Sequence, residues 1–209
     1  MIYRKEYRAC LKENIDEQEL KKICDRISSK KNKDFLEVYL YRHNKMLFLY
    51  YEARVEDTNP EFFLSDLNIF LETWPEEKGL THWAYMYPVF YQQIPTEDEE
   101  AWTRERKGSK TKIGRIAFLK EEKLFSYVYW HTAIVKEGLM KGDKYQYISL
   151  HENVLFSYYE EPRNNVNLSG REEESLAIKE WISLDPGSHF ELDKTDGQHF
   201  KVLEPILFF

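Results

Sequence analysis

The chain has 209 residues, 42% hydrophobic and 16% aromatic, which is enough apolar material for one large packed domain or two small ones. Its formal charge of −7 is spread along the sequence without a long Lys/Arg stripe, which argues against a nucleic-acid partner. Cys10 and Cys24 have neither metal-type nor disulfide-ladder spacing, and no apolar run approaches the roughly 20 residues of a membrane span. Together with an N-terminus, MIYRKEYRACLK, that lacks an apolar signal core, these features predict an unexported protein of the reduced cytosol with no membrane partner.

Residues 3–12 alternate loosely and predict a first strand. Asn14 with Glu17 three positions on resembles a capping box, and Leu20, Ile23, Cys24 and Ile27 give the apolar stripe of a helix running to about Ser29. Two aromatic and β-branched runs, 34–43 and 45–54, separated by Asn44, predict a hairpin. Asn59-Pro60 starts a helix over 62–74, and the run from His82 to Gln93 predicts a strand whose Pro88 marks an edge or a bulge.

Residues 95–111 are charged, with Trp102 their only large apolar side chain, and are expected to be a linker. The order then restarts. Residues 112–120 predict a strand, 123–140 a helix, Gly142-Asp143 a turn, 145–150 and 154–160 a hairpin, 171–184 a helix and 200–209 a last strand.

Leu47-Phe48-Leu49-Tyr50-Tyr51-Glu52 recurs 108 positions on as Leu155-Phe156-Ser157-Tyr158-Tyr159-Glu160, and Ala9-Cys10-Leu11-Lys12-Glu13 recurs at the same spacing as Ala117-Phe118-Leu119-Lys120-Glu121. Blocks repeating in one order at one spacing indicate duplication. The expected fold is therefore α+β: two ferredoxin-like βαββαβ repeats, 1–94 and 112–209, packed sheet to sheet as a dimeric α/β barrel within one chain. A monomer of this kind is the expected state, with further self-association left open.

Tyr127 and His131 lie four apart on the predicted helix and project from one side of it, so a phenol and an imidazole reach the same place. His is the side chain that titrates nearest neutrality, which makes the pair a candidate acid/base; the same residues also fit an ordinary apolar stripe. At the repeat spacing they fall on Glu19 and Ile23, so the first half lacks the pair. Tyr147, Trp181, Trp83 and Tyr85 offer aromatic faces suited to a sugar ring.

The second half resembles the L-rhamnose mutarotases through Gly114-Arg115-Ile116-Ala117-Phe118, Tyr127-Val128-Tyr129-Trp130-His131, Tyr147-Ile148-Ser149-Leu150 and Glu204-Pro205-Ile206-Leu207-Phe208. The resemblance implies a carbohydrate mutarotase, an isomerase interconverting the anomers of a free aldose. His131 would be its acid/base with Tyr127 beside it, and Arg115, Tyr147, Trp181, Trp83 and Tyr85 would hold the sugar. No metal or cofactor is expected. The family's Asn-Pro after the histidine is replaced here by Thr132-Ala133. Two further readings stand beside this one: a haem-binding or cofactor-free monooxygenase of the same barrel class, with His131, His151 or His199 as possible axial ligands, and a catalytically silent small-ligand-binding protein.

Overall fold

The computed structural model of the chain describes residues 1–30, 32–77, 79–106, 110–138, 144–162 and 175–209. It is a mixed α+β protein built on antiparallel sheet, with few helices. Two compact units account for it: residues 1–86, 95–105 and 203–209 form the first, and residues 87–94 and 106–202 the second. Among the described residues no helix is long and apolar enough to cross a membrane.

In the first unit β1 (Tyr3–Cys10), β2 (Phe35–His43) and β3 (Met46–Ala53) lie in the order β1-β3-β2. The helix α1 (Glu17–Ser28) covers one face of this sheet with Leu20, Ile23, Cys24 and Ile27, the stripe read from the sequence. Each of these apolar side chains removed from water stabilises the unit by about 1.5–3 kcal/mol. The N-cap is Asp16, which accepts from the amides of Gln18 and Glu19, rather than Asn14. Asn14 takes a left-handed φ of 52° and turns the chain into the helix.

The helix expected over 62–74 is shorter. A single α turn, α2 (Pro60–Phe63), passes into a 3₁₀ stretch at Ser65–Phe70. The reason is local: Asn68 spends its side chain on the carbonyl and carboxylate of Glu61 and on the indole N–H of Trp83, bonds that compete with a regular helix. A small hairpin follows, β4 (Trp74–Glu76) with β5 (Gly79–Thr81).

Strand β6 (Ala84–Tyr91) pairs with β1 through its first residues, Ala84, Tyr85 and Met86. Within the segment expected as a linker, α3 (Glu99–Thr103) buries Trp102, and its indole N–H donates to Glu52 at 2.9 Å.

The second unit repeats the order with β7 (Thr111–Phe118), α4 (Leu124–Glu137), β8 (Tyr147–His151), β9 (Val154–Glu161), α5 (Leu176–Ser183) and β10 (Lys201–Leu203). The C-terminal half of β6 pairs with β8, and the register shifts at Pro88, the bulge its ring predicts. The last strand, β11 (Pro205–Phe208), pairs with β2 in the first unit's sheet and also shifts register at its proline. α4 ends at Gly138, whose φ of 63° gives the left-handed C-terminal turn. The turn expected at Gly142-Asp143, the end of the helix expected to Met140 and the first residues of the one expected from Arg171 lie outside the described residues.

The eight pairs joining β1 to β3, from Tyr3↔Ala53 to Cys10↔Met46, reappear 108 positions on between β7 and β9, from Thr111↔Glu161 to Phe118↔Val154. The same pairing register therefore occurs in both units at the spacing of the sequence blocks.

Candidate functional site

Alternation along a strand sends neighbouring residues to opposite faces. In the second unit Ala117, Leu155 and Ile148 pack under the helices, so Arg115, two before Ala117, stands on the same helix-facing side. Its Nε lies 3.4 Å from Ser157 Oγ, and its guanidinium lies over the rings of Tyr159 and Phe200 at 4.9 and 4.3 Å. Above this face α4 carries Tyr127 and His131, both buried, and α5 contributes Trp181.

These residues meet in one aromatic cluster. The His131 imidazole lies flat on Tyr127, 3.7 Å between centroids, and meets Trp181 edge-on at 4.8 Å and Phe90 at 5.8 Å. Tyr127 in turn touches Trp181 at 5.6 Å and Phe190 at 5.9 Å. The structure thus places Tyr127, His131 and Trp181 as neighbours, with Arg115 on the same side of the sheet.

Burial sets the protonation states. It pushes the His131 pKa down to about 4, aided slightly by the nearby His189 and opposed by a bond to the Tyr127 carbonyl. That carbonyl lies 2.9 Å from Nδ1, so Nδ1 carries the hydrogen and Nε2 the lone pair. Burial pushes the Tyr127 hydroxyl up, against the attraction of Arg115 for its anion. Near neutral pH both rings are uncharged.

The other expected residues lie elsewhere. Tyr147 pairs with Tyr158, which pairs with Gly114, and so stands on the sheet face opposite Arg115; its ring stacks on Tyr91 at 6.5 Å. Trp83 and Tyr85 take their partners in the first unit, where Trp83 is buried and donates to Asn68, and Tyr85 meets Tyr7 edge-on at 5.4 Å.

Two groups were not expected. His189 and Phe190, on the segment after α5, complete the cluster: His189 lies 4.6 Å from Trp181, and its Nε2 is 3.0 Å from Ser126 Oγ. Nothing in local spacing announces them, because the turn that places them follows the packing of α5. The second group is a pair of buried carboxylates on the faces away from the helices. In the first unit Glu52 accepts from Trp102 and from Tyr50 and faces Arg4 at 3.8 Å. In the second, Glu160 accepts from Tyr158 and Arg106 at 2.9 and 2.8 Å and faces Lys112 at 3.4 Å. The repeated Tyr-x-Glu of the sequence blocks was the available signal.

The cavity that begins one turn along α4 from His131 has about 250 Å³ and is lined by Tyr91, Gln92, Gln93, Ile94, Val135 and Gly138. A larger groove of about 580 Å³ runs between α1 and β11 in the first unit, over Leu20, Cys24, Ile206 and Phe208. Burial pushes the Cys24 thiol up to about 11, so it is not a ready nucleophile there. Among the described residues no group of three or more His, Cys, Asp or Glu side chains is arranged to hold a metal ion.

No family model matches the chain, and no curated protein does. Among solved structures, it is similar over 99% of its length to 93% of a protein from Fusobacterium nucleatum subsp. nucleatum described as a candidate monooxygenase, at 12% identity and a TM-score of 0.42. It is similar over its full length to 96% of an anthrone oxidase-like protein, at 8% identity and a TM-score of 0.38.

The expected sugar mutarotase, with its isomerase and carbohydrate assignments, is corrected by these findings. The structures the chain aligns with are described as a monooxygenase and an oxidase-like protein rather than as sugar isomerases. The physical reason lies in the packing. A sugar needs hydroxyl-bearing walls open to it, whereas Tyr127 and His131 are stacked on each other and Tyr147 stands on the other face of the sheet.

Proposed function

We propose that the second unit carries the working site and that the protein is a cofactor-free oxygenase acting on a small planar aromatic substrate. The observation that supports this is the grouping of a neutral imidazole, a neutral phenol and an indole around one helix-facing surface with one guanidinium, Arg115, on the same side. Oxygenation without a cofactor requires a substrate that supplies its own electrons. A ring methylene beside a carbonyl does so, since CH₂ and O₂ give C=O and H₂O with no outside reductant.

In such chemistry the rings of Tyr127, Trp181 and Phe90 keep water from the His131 imidazole. The lone pair on His131 Nε2 receives the C–H proton. A base whose pKa is held so low transfers that proton uphill, so the substrate anion needs a compensating charge, which Arg115 supplies. Haem does not fit the same residues. His131 is enclosed by Tyr127, Trp181 and Phe90, and His199 stacks on Phe190 at 5.1 Å, its Nε2 so near Gly187 that a Cβ there would meet it at 3.0 Å. No step is assigned to it.

The in-register repeat supports a second element of the reading, that the units are tandem copies of one ferredoxin-like βαββαβ unit, the single-chain counterpart of a dimeric α/β barrel. The first copy has Tyr7, Glu19 and Ile23 where the second has Arg115, Tyr127 and His131, and serves as support.

Oxygen uptake with a panel of anthrones and hydroxynaphthalenes tests the proposal. Stoichiometric uptake that falls by about 10²-fold or more in both Arg115→Leu and His131→Phe is expected. The closed stack of His131 on Tyr127 favours one other reading, a silent ligand-binding protein. Ligand binding with no uptake from any member of the panel would establish that reading instead.

A further inference from the structure

Ser126 and His189 have no role in the oxygenase reading. Ser126 is half-buried on the first turn of α4, and His189 is buried on the segment after α5. Nε2 of His189 lies 3.0 Å from Ser126 Oγ. Its Nδ1 is buried and makes no hydrogen bond, with the backbone carbonyls of Asp185 and Pro186 near the ring. In the tautomer with hydrogen on Nδ1, the Nε2 lone pair accepts from Ser126. This is the arrangement of a serine with its base.

The surroundings suit the chemistry. Burial, with the nearby Lys123 ammonium, lowers the His189 pKa, so near neutral pH the imidazole is the proton acceptor; the Asp185 carboxylate works in the opposite direction and stabilises the imidazolium that forms. α4 continues from a 3₁₀ turn at Glu121–Lys123, whose Glu121 carbonyl accepts from the Leu124 amide. Packing alone does not call for the pair. The repeat places Gln18 at the position of Ser126. The bonds Lys12 N to Phe70 O and Lys120 N to His189 O place Phe70 at the position of His189. An apolar ring fills that position in the first unit, and the second unit buries an imidazole there.

We infer that Ser126 and His189 form a nucleophile and base pair that takes an acyl group from small, activated esters. Ser126 Oγ attacks the ester carbonyl carbon while its proton passes to His189 Nε2. The carbon–oxygen bond to the alcohol breaks, and the departing alkoxide takes that proton. Water, deprotonated by the same nitrogen, then releases the acid and restores the serine.

The test uses the full chain with 4-nitrophenyl acetate. A burst of one nitrophenolate per chain is expected, with one acetyl group mapped to Ser126 by peptide mass spectrometry. Ser126→Ala removes only a half-buried hydroxyl and should abolish both burst and label. His189→Gln should slow acylation by about 10²–10⁴-fold while leaving Ser126 in place. Acetyl found on Lys123 but not on Ser126, or a wild type indistinguishable from Ser126→Ala, would overturn the inference.

Discussion

The imidazole of His131 lies on the ring of Tyr127 with 17° between their planes, and its Nδ1 is 2.9 Å from the carbonyl of that same residue. Four-residue spacing on a helix produces this geometry directly: the side chains share a face, and the ring reaches back to the carbonyl one turn earlier. The stack is a buried, neutral element of the second unit's core, and its stability has a defined pH dependence.

Folded His131 takes up its proton only near pH 4, while the unfolded side chain does so near 6.5. Between those values the unfolded chain binds more protons, so stability falls as pH falls; above about pH 6.5 the residue imposes no penalty. At pH 4.5 the penalty is about 2.5 kcal/mol. Urea midpoints of wild type and His131→Phe, taken at pH 7.5 and 4.5, should show the variant losing less stability on acidification by about that amount. Equal losses in the two proteins would rule out a depressed His131.

How much of this was legible in the sequence follows from the range of the forces involved. Most strands, the hairpins and α1 are set by alternation, turn residues and an apolar stripe, all within about ten residues, and they lie near where those patterns place them; the expected last strand, 200–209, instead divides at Glu204 into β10 and β11. The bulge at Pro88 was legible for the same reason, because a missing N–H is a property of one residue. The short α2 was not: Asn68 leaves the helix for Glu61 and Trp83, and Trp83 is fifteen positions away. His189 was not either, since only tertiary packing brings it to Ser126, sixty-three positions back. The charges behind the sheets were hidden by their own surroundings, because a Glu in a strand reads as solvent-facing until its partners are known.

Trp102 illustrates this and yields a second prediction. Its segment is charged and reads as a linker, yet the indole is buried, donates to Glu52, and lies 5.3 Å beneath the Arg4 guanidinium. Trp102→Phe keeps the ring and removes the donor to a buried carboxylate, a loss of about 1–3 kcal/mol. Trp102→Ala also opens a cavity and should cost about 3–5 kcal/mol. Chemical denaturation measures both, and an alanine variant as stable as wild type would show that the segment is a loose connection.

Glu160, the buried carboxylate of the second unit, gives a third prediction. Its side chain is wholly buried and faces Arg106 and Lys112, whose side chains are only 8% and 11% exposed. Glu160→Gln preserves shape but removes the buried negative charge that faces both cations, and a loss of about 3–5 kcal/mol is expected. Combining it with Lys112→Met should return part of that loss, because the charge lost at Glu160 is then matched by one fewer cation. A double variant less stable than the sum of the two single variants would contradict this account.

The two hairpin turns give a prediction in the stabilising direction. Asn44 and Glu152, 108 positions apart, open two-residue loops between His43↔Met46 and His151↔Val154, and both adopt a left-handed backbone, with φ of 54° and 56°. Asn tolerates that region because its short amide bonds locally, whereas Glu has no such compensation. Glu152 is exposed, so whatever surface contacts its carboxylate makes are worth little. Glu152→Asn should therefore raise stability by about 0.5–1 kcal/mol, and Asn44→Glu should lower it by a similar amount. For a chain of this length such changes move the melting temperature by about 1–4 °C in opposite directions. Shifts of the same sign would mean that contacts around each loop, rather than the shared backbone geometry, decide the residue at that position.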